Sequence, residues 1–166
     1  MLLRSAKPGD EMDVARVHVR AWQTGYRGLL PQGYLDALRA EDRAWRYDFV
    51  TRDPQRPATV VAVDEGAICG FATTFVLHDT PEYGELAALY VDPEWWRRGV
   101  GTALTSAACA ALHDRGCREA VLWLLAGNTR GDRFYRRNGW LAEGVGRKDV
   151  VWGVEVDELR YRRALG

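Results

Sequence analysis

The sequence predicts an α/β domain with a mixed, mostly antiparallel central sheet flanked by helices. One observation is that the spacing of apolar residues changes along the chain from that of a buried strand to that of a helix. Buried strands at 84–91 and 120–125 flank a stretch at 100–115 whose apolar residues fall on one helical face. A strand, a helix and a strand in this order form a right-handed crossover between two parallel strands. The other observation is a pair of hairpin patterns, at 59–77 and 140–162, which add antiparallel strands.

Shorter patterns predict five further elements. They are a strand at 1–7 and helices at about 10–24, 31–38, 41–51 and 129–137. Asp10 can cap the helix that follows it, because its carboxylate accepts hydrogen bonds from the first N–H groups. Gly70, within the return strand of the first hairpin, indicates a β-bulge. The last hairpin is expected to pair strands at 140–145 and 150–162, with its turn between them.

The composition is that of a single globular domain over residues 1–166. Apolar residues make up 47% and charged residues 28% of the chain, and the formal net charge is zero. A zero net charge gives no bulk attraction to nucleic acid or to an anionic membrane, so neither is expected as a partner. The three cysteines lack metal-ligand spacing, and no apolar run reads as a membrane span or signal peptide. A cytoplasmic protein without a metal is therefore expected.

A basic, glycine-containing loop joins the strand at 84–91 to the helix at 100–115. No side chain that could cap the helix stands at its start, so its first N–H groups lack an obvious partner within the chain. Two arginines lie at this positive helix end, where cations are disfavoured by up to ~1 kcal/mol each. A bound phosphate would resolve both oddities, since glycines allow close approach to the backbone. The candidate phosphate-binding residues are Arg97, Arg98, Gly99, Val100, Gly101 and Thr102.

Other interpretations of this loop stay open. The segment could be a tight turn with two solvated arginines. A P-loop would need a Gly-Lys-Ser/Thr sequence, which the chain lacks. A dinucleotide fingerprint would need a third glycine where Leu104 stands, and a strand running directly into Gly99. The glycine spacing therefore disfavours a nucleotide-dependent transferase.

Two motifs resemble those of the GNAT-type N-acetyltransferase superfamily. The first is Leu89-Tyr90-Val91 followed by the loop 96–101, although Trp96 stands where the family has Gln or Arg. The second is Asn128, then Phe134-Tyr135, then Gly139-Trp140. The opening stretch 18–31 is also similar to one bacterial branch of the family.

The resemblance implies a GNAT-like fold, and a loop that binds the pyrophosphate of acetyl-CoA. It implies backbone contacts from Leu89 and Val91 to the cofactor, with Tyr90 also among the cofactor-binding residues and Asn128 on the pantetheine side. It further implies that Tyr135 is the acid near the cofactor sulfur, whereas a core aromatic is the alternative role. The resemblance places Trp22 and Tyr26 on the acceptor side, although both could instead be packing residues. A homodimer is also implied.

The chemistry requires a base as well. At pH 7 only about one part in 2,500 of an amine with a pKa of ~10.4 is neutral, so forming the neutral, reactive amine costs ~4.6 kcal/mol. Glu85 is the base candidate, because it is the only carboxylate on the central strand before Asp92. Alternatively, Glu85 is a solvated residue at the end of the strand with no part in the chemistry.

Together these observations predict an acetyl-CoA-dependent N-acetyltransferase. The expected acceptor is a small-molecule amine or a peptide N-terminus, and the aromatic residues and arginines suggest a small polar or acidic one. The alternative is a non-catalytic binding protein: a sensor or partner module that binds acyl-CoA but no longer catalyses acyl transfer.

Overall fold

The computed structural model describes residues 1–50, 53 and 56–166. The strands are β1 (Leu2–Ser5), β2 (Ala58–Asp64), β3 (Ala67–Val76), β4 (Tyr83–Val91), β5 (Glu119–Leu125), β6 (Leu141–Val151) and β7 (Val154–Ala164). The helices are α1 (Glu11–Gly25), α2 (Gln32–Asp36), α3 (Glu41–Ala44), α4 (Val100–Asp114) and α5 (Thr129–Arg137). A short 3₁₀ turn at Pro93–Trp95, which the sequence analysis did not predict, follows β4.

The seven strands form one sheet in the order β1-β2-β3-β4-β5-β7-β6. Only β4 and β5 are parallel, and α4 is the crossover between them; every other neighbouring pair is antiparallel. The predicted mixed, mostly antiparallel fold is therefore confirmed. None of the helices in the described ranges is long and apolar enough to cross a bilayer.

Helix α4 covers one face of the sheet, and two glycines let it approach closely. A Cβ atom on Gly70 would lie 2.9 Å from the Leu104 side chain, and one on Gly84 would lie 2.5 Å from that of Leu112. Both leucines are fully buried in the main core. The register of β2 and β3 shifts so that Cys69 is the extra residue. The predicted bulge is thus present, next to Gly70.

Helix α1 covers the opposite face, together with the tip of the β6–β7 hairpin. The Trp152 ring lies 4.7 Å from the His18 ring and 5.1 Å from the Trp22 ring, centroid to centroid. The Tyr34 hydroxyl donates a hydrogen bond to the Trp152 carbonyl. The C-terminal hairpin therefore folds back over the first two helices.

Two predicted boundaries were wrong. The helix predicted at 41–51 ends at Ala44, because Tyr47 instead packs on Phe71 and hydrogen-bonds His18; position 51 lies outside the described residues. The last hairpin does not turn between 145 and 150. Its strands stay paired until a two-residue turn at Trp152 and Gly153, both with positive φ, as a tight hairpin turn requires.

Candidate active site

The centre of the site is a cleft between β4 and β5. These strands pair only from Tyr83 to Glu85 on β4, although β4 continues to Val91 and β5 to Leu125. The register between β3 and β4 shifts at Ala87, which is an extra residue in β4. Such a bulge bends and twists its strand. Beyond Glu85 the two strands therefore diverge.

The cleft exposes backbone groups of β4. The Asp92 N–H donates to the Cys69 carbonyl across the β3 side at 2.8 Å. Because hydrogen-bonding groups alternate along an antiparallel strand, the N–H and C=O groups of Leu89 and Val91 point to the opposite side, into the cleft. The backbone groups of the two residues predicted to contact the cofactor therefore face the cleft.

Tyr90 is placed differently. Its backbone groups face β3 by the same alternation, and its side chain lies on the α1 face of the sheet. The Tyr90 ring stacks on His18 with centroids 4.7 Å apart, and its hydroxyl lies 3.4 Å from that of Tyr26. Tyr90 therefore lines a cavity on the α1 side, and its backbone does not open into the cleft.

The glycine loop ends at the open start of α4. Gly99 precedes the helix in the left-handed conformation, with φ of 82°, and no side chain caps the helix. The first helical hydrogen bond runs from the Ala103 N–H to the Gly99 carbonyl at 3.0 Å. The N–H groups of Val100, Gly101 and Thr102 therefore have no acceptor within the helix. This confirms the predicted uncapped start.

The two loop arginines differ in conformation. Arg97 has a φ of 65°, which is uncommon for a residue with a side chain and carries a strain of ~1–3 kcal/mol. Arg98 lies with its guanidinium 5.8 Å from the centre of the Trp95 ring. Both arginines are exposed next to the free N–H groups of α4. The loop thus gathers two cations and several donors at one place.

Trp96, the departure from the family motif, has a structural role in the cleft. Its indole Nε1 donates to the Val91 carbonyl at 2.8 Å. The Arg130 guanidinium lies 3.6 Å from the centre of the Trp96 ring. Burial lowers the pKa of Arg130, while the Tyr26 and Tyr135 hydroxyls raise it. Within the described ranges Arg130 forms no ion pair, so it is a partly desolvated cation facing the cleft.

Sequence reasoning missed Arg130. Its position two residues after Asn128 was the available signal. Only the folded chain shows that it reaches Trp96 and Gly25; a Cβ atom on Gly25 would lie 2.9 Å from the guanidinium.

Helix α5 supplies the second wall. The Asn128 side-chain oxygen accepts from the Gly131 N–H at 2.9 Å and so caps this helix. Tyr135, about two turns after Asn128, packs among aromatic rings, with Trp140 at 6.1 Å and Tyr161 at 6.3 Å between centroids. Burial raises the pKa of Tyr135, and the nearby Tyr90 hydroxyl raises it further, while Arg130 opposes the shift. At neutral pH Tyr135 is therefore a protonated donor.

On the α1 side, the cleft adjoins a cavity of about 220 Å³. Its lining includes Trp22 and Tyr26, the two residues predicted on the acceptor side, and Glu85, the predicted base. The indole N–H of Trp22 is buried without a hydrogen-bond partner among the described residues. Burial raises the pKa of Tyr26 well above its usual value, and the Tyr90 hydroxyl adds to this.

Glu85 is the ionisable group where the two strands part. Burial raises the pKa of its carboxyl, Arg147 opposes this, and Glu158 and Asp149 add to it. It forms no ion pair in the part of the chain that the structure describes. No cluster of three metal-ligating side chains occurs in that part either. A partly buried carboxyl whose pKa is raised is suited to accept a proton.

The fold is a single mixed sheet whose two central parallel strands part to leave a backbone-lined cleft. Residues 19–140 match the model of the Acetyltransferase (GNAT) family. An uncharacterized N-acetyltransferase, YuaI of Bacillus subtilis (strain 168), is 31% identical over 129 residues, 76% of this chain and 72% of that protein. The chain belongs to the GNAT family and is an acyltransferase of that type.

Solved structures agree on the fold. The GCN5-related N-acetyltransferase described as an aminotransferase, class-II, from Rhodopseudomonas palustris superposes with a TM-score of 0.76 at 20% identity, covering 99% of this chain and 95% of that one. The PaiA N-acetyltransferase from Thermoplasma acidophilum, solved in complex with coenzyme A, gives a TM-score of 0.70 at 17% identity, covering 98% of both chains.

Proposed function

We propose that residues 1–166 form one acetyl-CoA-dependent N-acetyltransferase domain that moves an acetyl group to the amine of a small molecule. The observation that carries this proposal is the cleft between β4 and β5. The strands part after Glu85, the β4 backbone beyond it faces the cleft, the uncapped start of α4 follows in the chain, and α5 carries Tyr135. The alternative, a silent acyl-CoA-binding module, would need the same cleft but neither of these two ionisable side chains.

The residues present fit acetyl-CoA, which supplies the acetyl group as a thioester. The free N–H groups of Val100, Gly101 and Thr102, with Arg97 and Arg98, match a pyrophosphate in charge and in donors. The cleft-facing backbone of Leu89 and Val91 matches the amide groups of pantetheine. Among the described residues only the Asn128 oxygen is used, to cap α5, so its amide N–H₂ can donate to a ligand. The coenzyme A complex of PaiA supports this assignment on the same fold.

The transfer then needs proton movements at the nitrogen and at the sulfur. The acceptor nitrogen gives a proton towards Glu85, and forms its bond to the acetyl carbon as the carbon–sulfur bond breaks. Tyr135 gives its proton to the sulfur, so that a thiol leaves rather than a thiolate, and the last proton lost by the nitrogen as the amide forms restores the Tyr135 hydroxyl. The raised pKa of Glu85 suits it to accept a proton near neutral pH, since it brings the carboxyl closer to the working range.

Changing Glu85 to glutamine is expected to slow the reaction and to stabilise the fold. Removing a general base costs typically 10²–10⁴-fold in rate. Burial penalises the charged carboxylate, so the folded state binds more protons than the unfolded state between pH 4.5 and the raised pKa. Stability therefore falls as pH rises across this window. The melting temperature of Glu85→Gln should exceed that of the wild type above the window, and the difference should vanish at lower pH.

The matched control is Glu82→Gln, an exposed glutamate just before the same strand. It should leave the rate unchanged. A Glu85→Gln protein with full activity would contradict the base assignment.

The proposed function is tested by following thiol release from acetyl-CoA with a panel of small amines, and by identifying the acetylated products by mass. Amine-dependent release with a matching acetylated product is the expected result. Tight acetyl-CoA binding with no product from any amine would favour the silent module.

A further inference from the structure

We propose that the acceptor is a small primary amine carrying a second cationic group, such as a diamine. This inference rests on the proposed function, because it assigns the acceptor to the cavity beside Glu85. It is carried by the charges and aromatic surfaces of that cavity.

The ionisable lining of the cavity is predominantly acidic. Its charged members are Glu85, Arg147, Asp149 and Glu158. Three carboxylates against one guanidinium leave the cavity with an excess of negative charge. A cationic ligand is favoured in such a space, and an anionic one is repelled, the more so because burial weakens screening.

Arg147, the single arginine of the cavity lining, already contacts two carboxylates and an aromatic ring. Its Nε lies 3.0 Å from the Glu158 carboxylate, and a terminal nitrogen lies 3.3 Å from that of Asp149. Its guanidinium also lies 4.1 Å from the centre of the Trp123 ring. An acceptor carboxylate could reach Arg147 only by displacing one of these anions. The acidic acceptor suggested by the arginines of the sequence is therefore disfavoured.

Aromatic rings form much of the remaining wall. Trp22, Tyr26, Tyr90 and Trp123 all line the cavity. Indole and phenol faces attract cations by ~0.5–2 kcal/mol and also pack against methylene groups. The volume of about 220 Å³ is below the usual 300–1,000 Å³ of drug-sized sites, which favours a short chain.

The two ends of such a ligand would serve different purposes. The reacting amine lies at Glu85, which takes its proton. The distal ammonium lies near Glu158, whose side chain is only 12% exposed, and Asp149; both carboxylates keep accepting capacity beyond their bond to Arg147. The distal group stays charged throughout, so it contributes to binding and orientation and not to chemistry.

Three amines with four carbon atoms each test this inference. 1,4-Diaminobutane carries an ammonium on its fourth carbon, butylamine carries only hydrogen there, and in 4-aminobutanoate that carbon is a carboxylate. Binding is measured by calorimetry on the full chain without acetyl-CoA. A charge-assisted hydrogen bond is worth ~1.5–3 kcal/mol, or about 10- to 100-fold. The diamine should therefore bind at least ~10-fold more tightly than butylamine, and 4-aminobutanoate more weakly than either.

Equal binding of the three amines, tightest binding of 4-aminobutanoate, or no binding would overturn the inference. The acetyl-transfer assay with the same amines separates it from the proposed function. Selective diamine binding without transfer would support a cation-binding cavity but contradict both the proposed function and the role of the diamine as acceptor. Transfer to amines without any preference for the diamine would support the proposed function and overturn the inference.

Variants locate the distal subsite. Glu158→Gln and, separately, Asp149→Asn should each reduce the preference for the diamine over butylamine by about 3- to 10-fold, with melting monitored to confirm folding. The matched control is Glu155→Gln, on the opposite face of β7 with its side chain 71% exposed, which should leave the preference unchanged. If both cavity variants kept the wild-type preference for the diamine over butylamine, Glu158 and Asp149 would not form the distal subsite.

Discussion

Replacing Tyr135 with phenylalanine is expected to lower kcat by about a hundredfold or more, without weakening acetyl-CoA binding. The variant keeps the aromatic ring that packs against Trp140 and Tyr161 and removes only the hydroxyl. A positioned general acid contributes typically 10²–10⁴-fold. The loss should appear in single-turnover rates and in steady-state kcat, whereas the dissociation constant from calorimetry should stay within about twofold of the wild type.

The pH dependence follows from the same group. Because burial raises the pKa of Tyr135, the wild type should not lose its acid below the ordinary tyrosine value of 10. The matched control is Tyr161→Phe, in the same aromatic cluster, whose hydroxyl donates to Asp132 instead of facing the cleft. That control should retain its kcat. If Tyr135→Phe were as active as the control, Tyr135 would be a packing residue.

Replacing Gly99 with aspartate is expected to weaken acetyl-CoA binding by about a hundredfold. A Cβ atom at Gly99 meets nothing within 4 Å, so the change introduces no clash within the protein. It places a carboxylate beside the free N–H groups of α4, where it would compete with and repel a pyrophosphate. Two lost charge-assisted hydrogen bonds at ~1.5 kcal/mol each correspond to about this factor. The effect should be read from equilibrium binding of CoA and acetyl-CoA.

The control for Gly99→Asp is Gly66→Asp. Gly66 also has a positive φ, of 78°, with nothing within 4 Å of an added Cβ atom, but it lies in the β2–β3 turn. Both variants therefore carry the same backbone strain, which aspartate tolerates better than most residues. Unchanged affinity in Gly99→Asp would indicate that the loop is a solvated turn.

The parts of the site that could be predicted are those determined by short, continuous stretches of sequence. The strand ending at Val91, the uncapped helix start at Val100 and the helix bearing Tyr135 each follow from periodicity and from nearby glycine or proline. These signals act over a few residues, so the folded chain reproduces them. The widening of the cleft could not be predicted, because it depends on a bulge at Ala87 that only strand pairing reveals.

The acceptor cavity lay beyond sequence reasoning for a related reason. Arg147, Asp149 and Glu158 belong to the last hairpin, and they meet Glu85 only because β7 pairs with β5 and the hairpin extends over the cleft. The turn of that hairpin was also predicted in the wrong place, since β6 continues past a register shift between Ala142 and Gly146 and stays paired with β7 to Val151. Likewise, the stacking of Arg130 on Trp96 joins two segments with no shared local pattern.

The central claim is that this cleft binds an acyl-CoA, and a thermal shift with acetyl-CoA, CoA, ATP and NAD in parallel tests it most directly. A ligand at ~100 times its dissociation constant stabilises the folded state by ~2.7 kcal/mol, which is about 5–10 °C for a chain of this size. The account predicts such a shift with acetyl-CoA and CoA, and none with ATP or NAD at equal concentration. Stabilisation by ATP or NAD without stabilisation by either CoA species would contradict it.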